Sequence, residues 1–132
     1  MGRALNLSQF QHNVTDGTTT VGTNYVVNGS AKAWVAYDQG VNAIKSSFGI
    51  SSQVDDATGR TTSNFTSSFS SVDNYCVVGS IFDGSWANDT RIFNHDVNND
   101  TYTASAVKYY CWDGSGLNDA HRFFVSFLGD LA

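Results

Sequence analysis

The stretch "GSAKAWVAYDQ" (29–39) decides how this chain folds. Small and apolar residues alternate along it, the two-residue period of a β-strand. That period puts Ala31, Ala33, Val35 and Tyr37 on one face, and Lys32, Trp34 and Ala36 on the other. Both faces carry apolar groups. The pattern therefore predicts a framework strand buried on both sides, as at a subunit interface, with the Lys32 stem lying along its apolar neighbours and its head in water. Trp34 is accordingly assigned to the framework and not to a ligand platform.

Composition extends the same reading to the whole chain. Of 132 residues, 16 are Ser, 12 Thr and 12 Asn, and all 12 acidic residues are Asp. Leu occurs five times and Glu and Pro are absent, whereas Val, Thr and aromatic residues are common. Strong helix formers are thus scarce and strand formers plentiful. Asp, Asn, Ser and Gly supply tight turns. Strands are expected at 24–28, 31–37, 41–50, 61–69, 75–82, 90–94, 101–112 and 121–128, punctuated by "NGS", "DQG", "DDATGR", "SSVDN", "DGSWAND", "DVNND" and "DGSGLND". Phe65 and Phe69 share one face of their segment, as do Phe123, Val125 and Phe127. The expected fold is all-β: an antiparallel β-sandwich of about eight strands over residues 24–132. Residues 1–23 form an N-terminal arm or short helix, since Ala4, Leu7, Phe10 and Val14 approach helical spacing, and "TDGTTTVGT" (15–23) reads as a flexible link.

Several function classes fall away on these grounds. The net charge is −5 and the basic residues are few and scattered, so no nucleic-acid footprint is expected. No apolar run is long enough for a membrane span, and the first residues lack the apolar core of a signal peptide. Cys76 and Cys111 show no metal-binding spacing; both read as small buried apolar residues of strands, with a disulfide as the alternative if the strands are neighbours. His12, His95 and His121 offer no assignable triad, and no GxSxG elbow exists. A pair of glycosidase carboxylates would have to be Asp, and the Asp residues read as turn residues. "DVNND" (96–100) mimics a calcium loop, but Thr101 stands where Gly is required and Val107 where Glu is required. No enzyme activity, cofactor or metal site is expected. Six Asn-x-Ser/Thr triplets are what such a composition produces by chance.

The best binding candidates are aromatic loops. "FDGSWAND" (82–89) sets Trp86 among small polar residues, and "YYCWDGSGLNDAH" (109–121) does the same for Trp112. A flat aromatic with hydrogen-bonding neighbours suits sugar or protein recognition. The candidate receptor-binding residues are Asp83, Trp86, Asn88, Trp112 and Asn118.

The pieces "AKAWV" (31–35), Ile44 to Ser52, Asp55, Gly59 and Asn74 to Val78, with the ending "FFVSFLG" (123–129), together resemble a module of virion structural proteins of tailed phages. Such modules are found notably in cyanophages and often form the C-terminal region of tail fibres and receptor-binding proteins. The resemblance covers roughly residues 30–129 and leaves 1–22 outside. It implies a tail fibre subunit whose partners are a second and third copy in a homotrimer, other virion proteins held by the N-terminal arm, and a host surface glycan or protein. The module usually ends a long fibre protein, whereas it nearly fills this chain. A capsid cement or decoration protein on the head surface is the alternative, and a cell-surface lectin-like module the third.

Overall fold

The computed structural model describes residues 29–82, 84, 91–95 and 101–132, together with the backbone of 14–15 and 20–21. Chain contacts divide it into two units, Met1–Ser30 and Ala31–Ala132. In the first, β1 (Val14–Thr15) pairs antiparallel with β2 (Thr20–Val21), within the segment expected to be a link. Val14, counted in the expected helical spacing, instead begins β1; the rest of the expected helical arm and the strand at 24–28 lie outside the described residues.

The second unit is an antiparallel β-sandwich of eight strands. These are β3 (Ala31–Asp38), β4 (Ala43–Phe48), β5 (Ile50–Ala57), β6 (Arg60–Phe65), β7 (Tyr75–Phe82), β8 (Ile92–His95), β9 (Ala106–Trp112) and β10 (Arg122–Gly129). One sheet has the order β4-β3-β10-β7 and the other β5-β6-β9-β8. β4 and β5 are almost one strand that changes sheet at Gly49, whose φ of +68° lies in the left-handed region. A Cβ there would sit 2.6 Å from the Lys32 carbonyl oxygen, so glycine is required on both grounds.

The sequence predicts a turn over "DDATGR", but the strand β5 runs through Asp55 and Asp56 to Ala57. β5 is an edge strand with mostly exposed residues, so it needs no apolar alternation, and its charges discourage pairing with other chains. Asp38 likewise ends a strand, so the Asp residues are not all turn residues. The expected segment 41–50 is shortened to β4 by the connection at 39–42 and by the Gly49 kink.

Both inner faces follow the two-residue period. Ala33, Val35 and Tyr37 of β3 and Phe123, Val125 and Phe127 of β10 are buried against Phe65 of β6 and Val107, Tyr109 and Cys111 of β9. At one end Phe65 meets Phe69, Tyr75 and Phe127 edge-on, with ring centroids 4.9 to 5.7 Å apart. Tyr75 stacks on Phe69 at 4.4 Å and on Tyr102 at 5.1 Å. Such pairs add to the burial of large rings. Gly79 on β7 leaves room for the Phe93 ring of β8, which lies 2.7 Å from where a Cβ would stand.

Polar groups on the inner side of β6 are satisfied. Tyr109 Oη donates to Gln53 Oε1 (3.3 Å), Gln53 Nε2 donates to Ser63 Oγ (2.6 Å), and Ser63 and Tyr109 share a hydrogen bond of 3.0 Å. The three groups close a ring if Ser63 donates to Tyr109. Thr61 Oγ1 donates to the Val54 carbonyl (2.8 Å).

Two expectations are corrected here. β3 buries one face only: Trp34, on the other, is 37% exposed on the outer surface of its sheet, because no described residue of this unit packs over that side. The cysteines do not behave alike. Cys111 is buried between the sheets, whereas Cys76 points outward from β7 and is exposed. They lie in different sheets and on faces that do not meet, so no disulfide joins them.

Candidate functional site

Of the five candidate residues, Trp112 and Asn118 fall within the described structure; Asp83, Trp86 and Asn88 lie outside it. Trp112 is the last residue of β9. It is opposite Ile92 of β8, and its backbone forms a bridge with Leu117. Both Trp112 and Ile92 project from the outer face of their sheet, 37% and 47% exposed.

The turn after Trp112 is built around one carboxylate. Asp113 Oδ1 accepts from the Ser115 amide, the Ser115 hydroxyl and the Gly116 amide, each at 2.8 Å. Asp113 Oδ2 accepts from the Asn118 side-chain amide. The Asp113 amide donates to the Gly116 carbonyl (3.1 Å), which closes the turn, and Gly114 takes φ of +92°. Arg91 approaches Asp113 Oδ2 at 3.9 Å. Donation from the Ser115 and Gly116 amides, then from the Ser115 hydroxyl and Asn118, brings the Asp113 carboxyl down to about 2 from its ordinary 3.8. It is therefore ionised at neutral pH and holds the turn in one conformation.

The turn is tied to the hairpin between β5 and β6. The Asn118 amide donates to the Cys111 carbonyl (3.2 Å), the Cys111 amide to the Gly59 carbonyl (2.8 Å), and the Gly59 amide to Asp119 Oδ1 (2.7 Å). Gly59 has φ of +68°, and a Cβ there would lie 2.7 Å from the Asn118 nitrogen. The side chain of Asn118 is thus engaged inside the turn, while Trp112 presents its surface to solvent.

The structure brings Trp112 and Asn118 to one turn, six residues apart in sequence. It also shows an exposed aromatic surface formed by Trp34, assigned to the framework from sequence, and by Phe124. The available signal was phase: Trp34 and Phe124 each fall on the opposite strand face from the buried residues of their segments.

Among the described residues, no group of three or more His, Cys, Asp or Glu side chains is arranged to hold a metal. No described helix is long and apolar enough to cross a membrane. A scan against protein-family models and searches of curated proteins and of solved structures each give no match.

Proposed function

We propose that the chain is a non-enzymatic structural subunit of a tailed-phage virion, a tail fibre component that binds a host surface receptor through the Trp112 end of its sandwich. The observation that carries the binding role is the exposure of Trp112 beside a turn that Asp113 builds in advance. A rigid loop loses little conformational freedom when it binds, and a Trp offers a large flat contact. Assignment to the virion rests on the sequence resemblance over residues 30–129, as does a homotrimeric state; the all-β sandwich is compatible with both.

Two measurements test this. Antibody labelling of intact particles should mark the tail; label confined to the shell would overturn the fibre assignment in favour of a capsid decoration protein. Purified protein should adsorb to host cells, and Trp112→Ala should lower adsorption at least tenfold while leaving the thermal unfolding transition in place. Unchanged adsorption would remove Trp112 from the site. Release of sugar from host polysaccharide by the pure protein would overturn the non-enzymatic assignment.

A further inference from the structure

The outer face of the β4-β3-β10-β7 sheet carries a concave, uncharged surface. Strand register fixes its layout. Ser126 of β10 lies between Trp34 of β3 and Val78 of β7, and Phe124, two residues back along the same strand face, lies between Ala36 and Ser80. Large and small side chains therefore alternate in both directions. Ser126, Ala36 and Ser80 form low points, and Trp34, Val78 and Phe124 stand above them. The result is a trough of about 470 Å³, floored also by the backbone of Val35, Gly79 and Val125. That volume falls at the small end of the range for ligand sites.

From this geometry we infer that the trough is a binding site for a neutral saccharide, with Trp34 and Phe124 against the apolar face of a sugar ring and the Ser126 and Ser80 hydroxyls hydrogen-bonded to its hydroxyls. Three observations select this occupant. Among the described residues no charged side chain lines the trough, so none of them compensates a charged ligand. The side-chain hydroxyls of Ser126 and Ser80 make no hydrogen bond to another described residue, so both are available to a ligand. A purely apolar occupant would strip water from them and give nothing back, whereas a polyol with an apolar face satisfies both demands. Finally, in a two-fold pair the trough is ill-suited to the equivalent trough of a second copy. A two-fold contact sets the same patch against itself, so two hollows would face each other and leave space unfilled.

This inference goes beyond the Trp112 site and holds wherever the chain sits in a particle. The test is amide and indole NMR of the intact chain titrated with methyl glycosides of glucose, galactose and mannose, with benzyl alcohol as an apolar control. At least one glycoside should shift the Trp34 indole and the amides of Ser126 and Ser80 saturably. Trp34→Ala should weaken that binding at least tenfold, and Ser126→Ala three- to tenfold. Absence of shifts with all three glycosides would overturn the proposal. So would shifts confined to Trp112, equal binding of benzyl alcohol that Ser126→Ala does not weaken, or concentration-dependent broadening of these signals without ligand, which would mark a contact between copies. Because Trp34→Ala and Trp112→Ala are read in separate assays, glycoside binding and receptor adsorption stand or fall independently.

Discussion

Gln39 and Ala120 hold each other by two hydrogen bonds: the Gln39 amide donates to the Ala120 carbonyl (3.3 Å), and the Ala120 amide donates to Gln39 Oε1 (3.2 Å). The Gln39 side chain, 2% exposed as a residue, also donates from Nε2 towards Asp55 Oδ1, the Ala57 carbonyl and the Arg60 carbonyl at 3.1 to 3.2 Å. One glutamine at the end of β3 thus fastens the first sheet to the β5–β6 hairpin of the second. Gln39→Leu keeps the bulk but leaves the Ala120 amide and two carbonyls without this partner. A loss of about 3 kcal/mol is expected, from roughly 1–3 kcal/mol for each buried group left unsatisfied. Urea unfolding of the two proteins measures it; a loss below about 1 kcal/mol would show that the tie is dispensable.

Gly59 takes a left-handed conformation where its hairpin meets the turn at Asn118. Gly59→Ala should cost about 1–2 kcal/mol for the conformation alone, and more because the new methyl group meets backbone atoms that cannot rotate away. The turn should loosen with it. Hydrogen exchange at the Asn118 amide reports this directly and should accelerate in the variant.

The hydrogen-bonded group formed by Tyr109, Gln53 and Ser63 is closed on itself inside the core. Tyr109→Phe leaves its two partners incompletely bonded and should destabilise by about 1–2 kcal/mol. Ser63→Ala should cost a similar amount. Because the residues share one network, the double variant should lose less than the two single losses added together. Strict additivity would show that the groups act separately.

Asp113 sets a pH dependence of defined sign. Its folded-state pKa is depressed, to about 2 against an ordinary 3.8, so its contribution is complete above the unfolded value and fades as the pH falls through the folded one. Burial, the largest single influence, would raise the Asp38 carboxyl, but the hydrogen bond and charge of Lys45, 3.3 Å away, together with the Val41 amide and His121 outweigh it and lower it, so Asp38 acts in the same direction. The melting temperature should fall from about pH 4 towards pH 2. In Asp113→Asn the decline should be shallower; equal slopes in both proteins would contradict the role given to the carboxylate.

The two thiols should differ in reactivity. Under native conditions a bulky thiol reagent should modify Cys76, which is exposed, and leave Cys111, which is buried, until the chain is unfolded. Mass spectrometry of the labelled peptides distinguishes them. Rapid native labelling of Cys111 would contradict its place in the core.

Much of this fold was legible because most core strands obey a period of two. Ala33, Val35 and Tyr37, and Phe123, Val125 and Phe127, are buried as their alternation predicts. β5 escaped because an edge strand can be polar throughout, which makes its composition that of a turn. The outward Trp34 was misassigned for a related reason. Alternation tells which residues share a face, but whether that face is covered depends on what packs against the sheet, and sequence spacing does not carry that. At the Trp112 turn, the aromatic and its small polar neighbours were visible in sequence. The role of Asp113 was not, since any Asp in a turn can cap backbone amides and only the fold shows one carboxylate taking several.

The central pairing of the first sheet joins β3 to β10, with Tyr37 opposite Phe123. These strands lie at opposite ends of the sandwich sequence. During synthesis β3 must therefore wait, one edge unpaired and its apolar groups uncovered, until nearly the whole domain has been made. Contacts this distant in sequence slow folding and prolong exposure to aggregation. Assembly of the first sheet is thus gated by its final strand: a chain made only as far as Arg122 holds every strand of the second sheet but lacks the strand that joins β3 to β7.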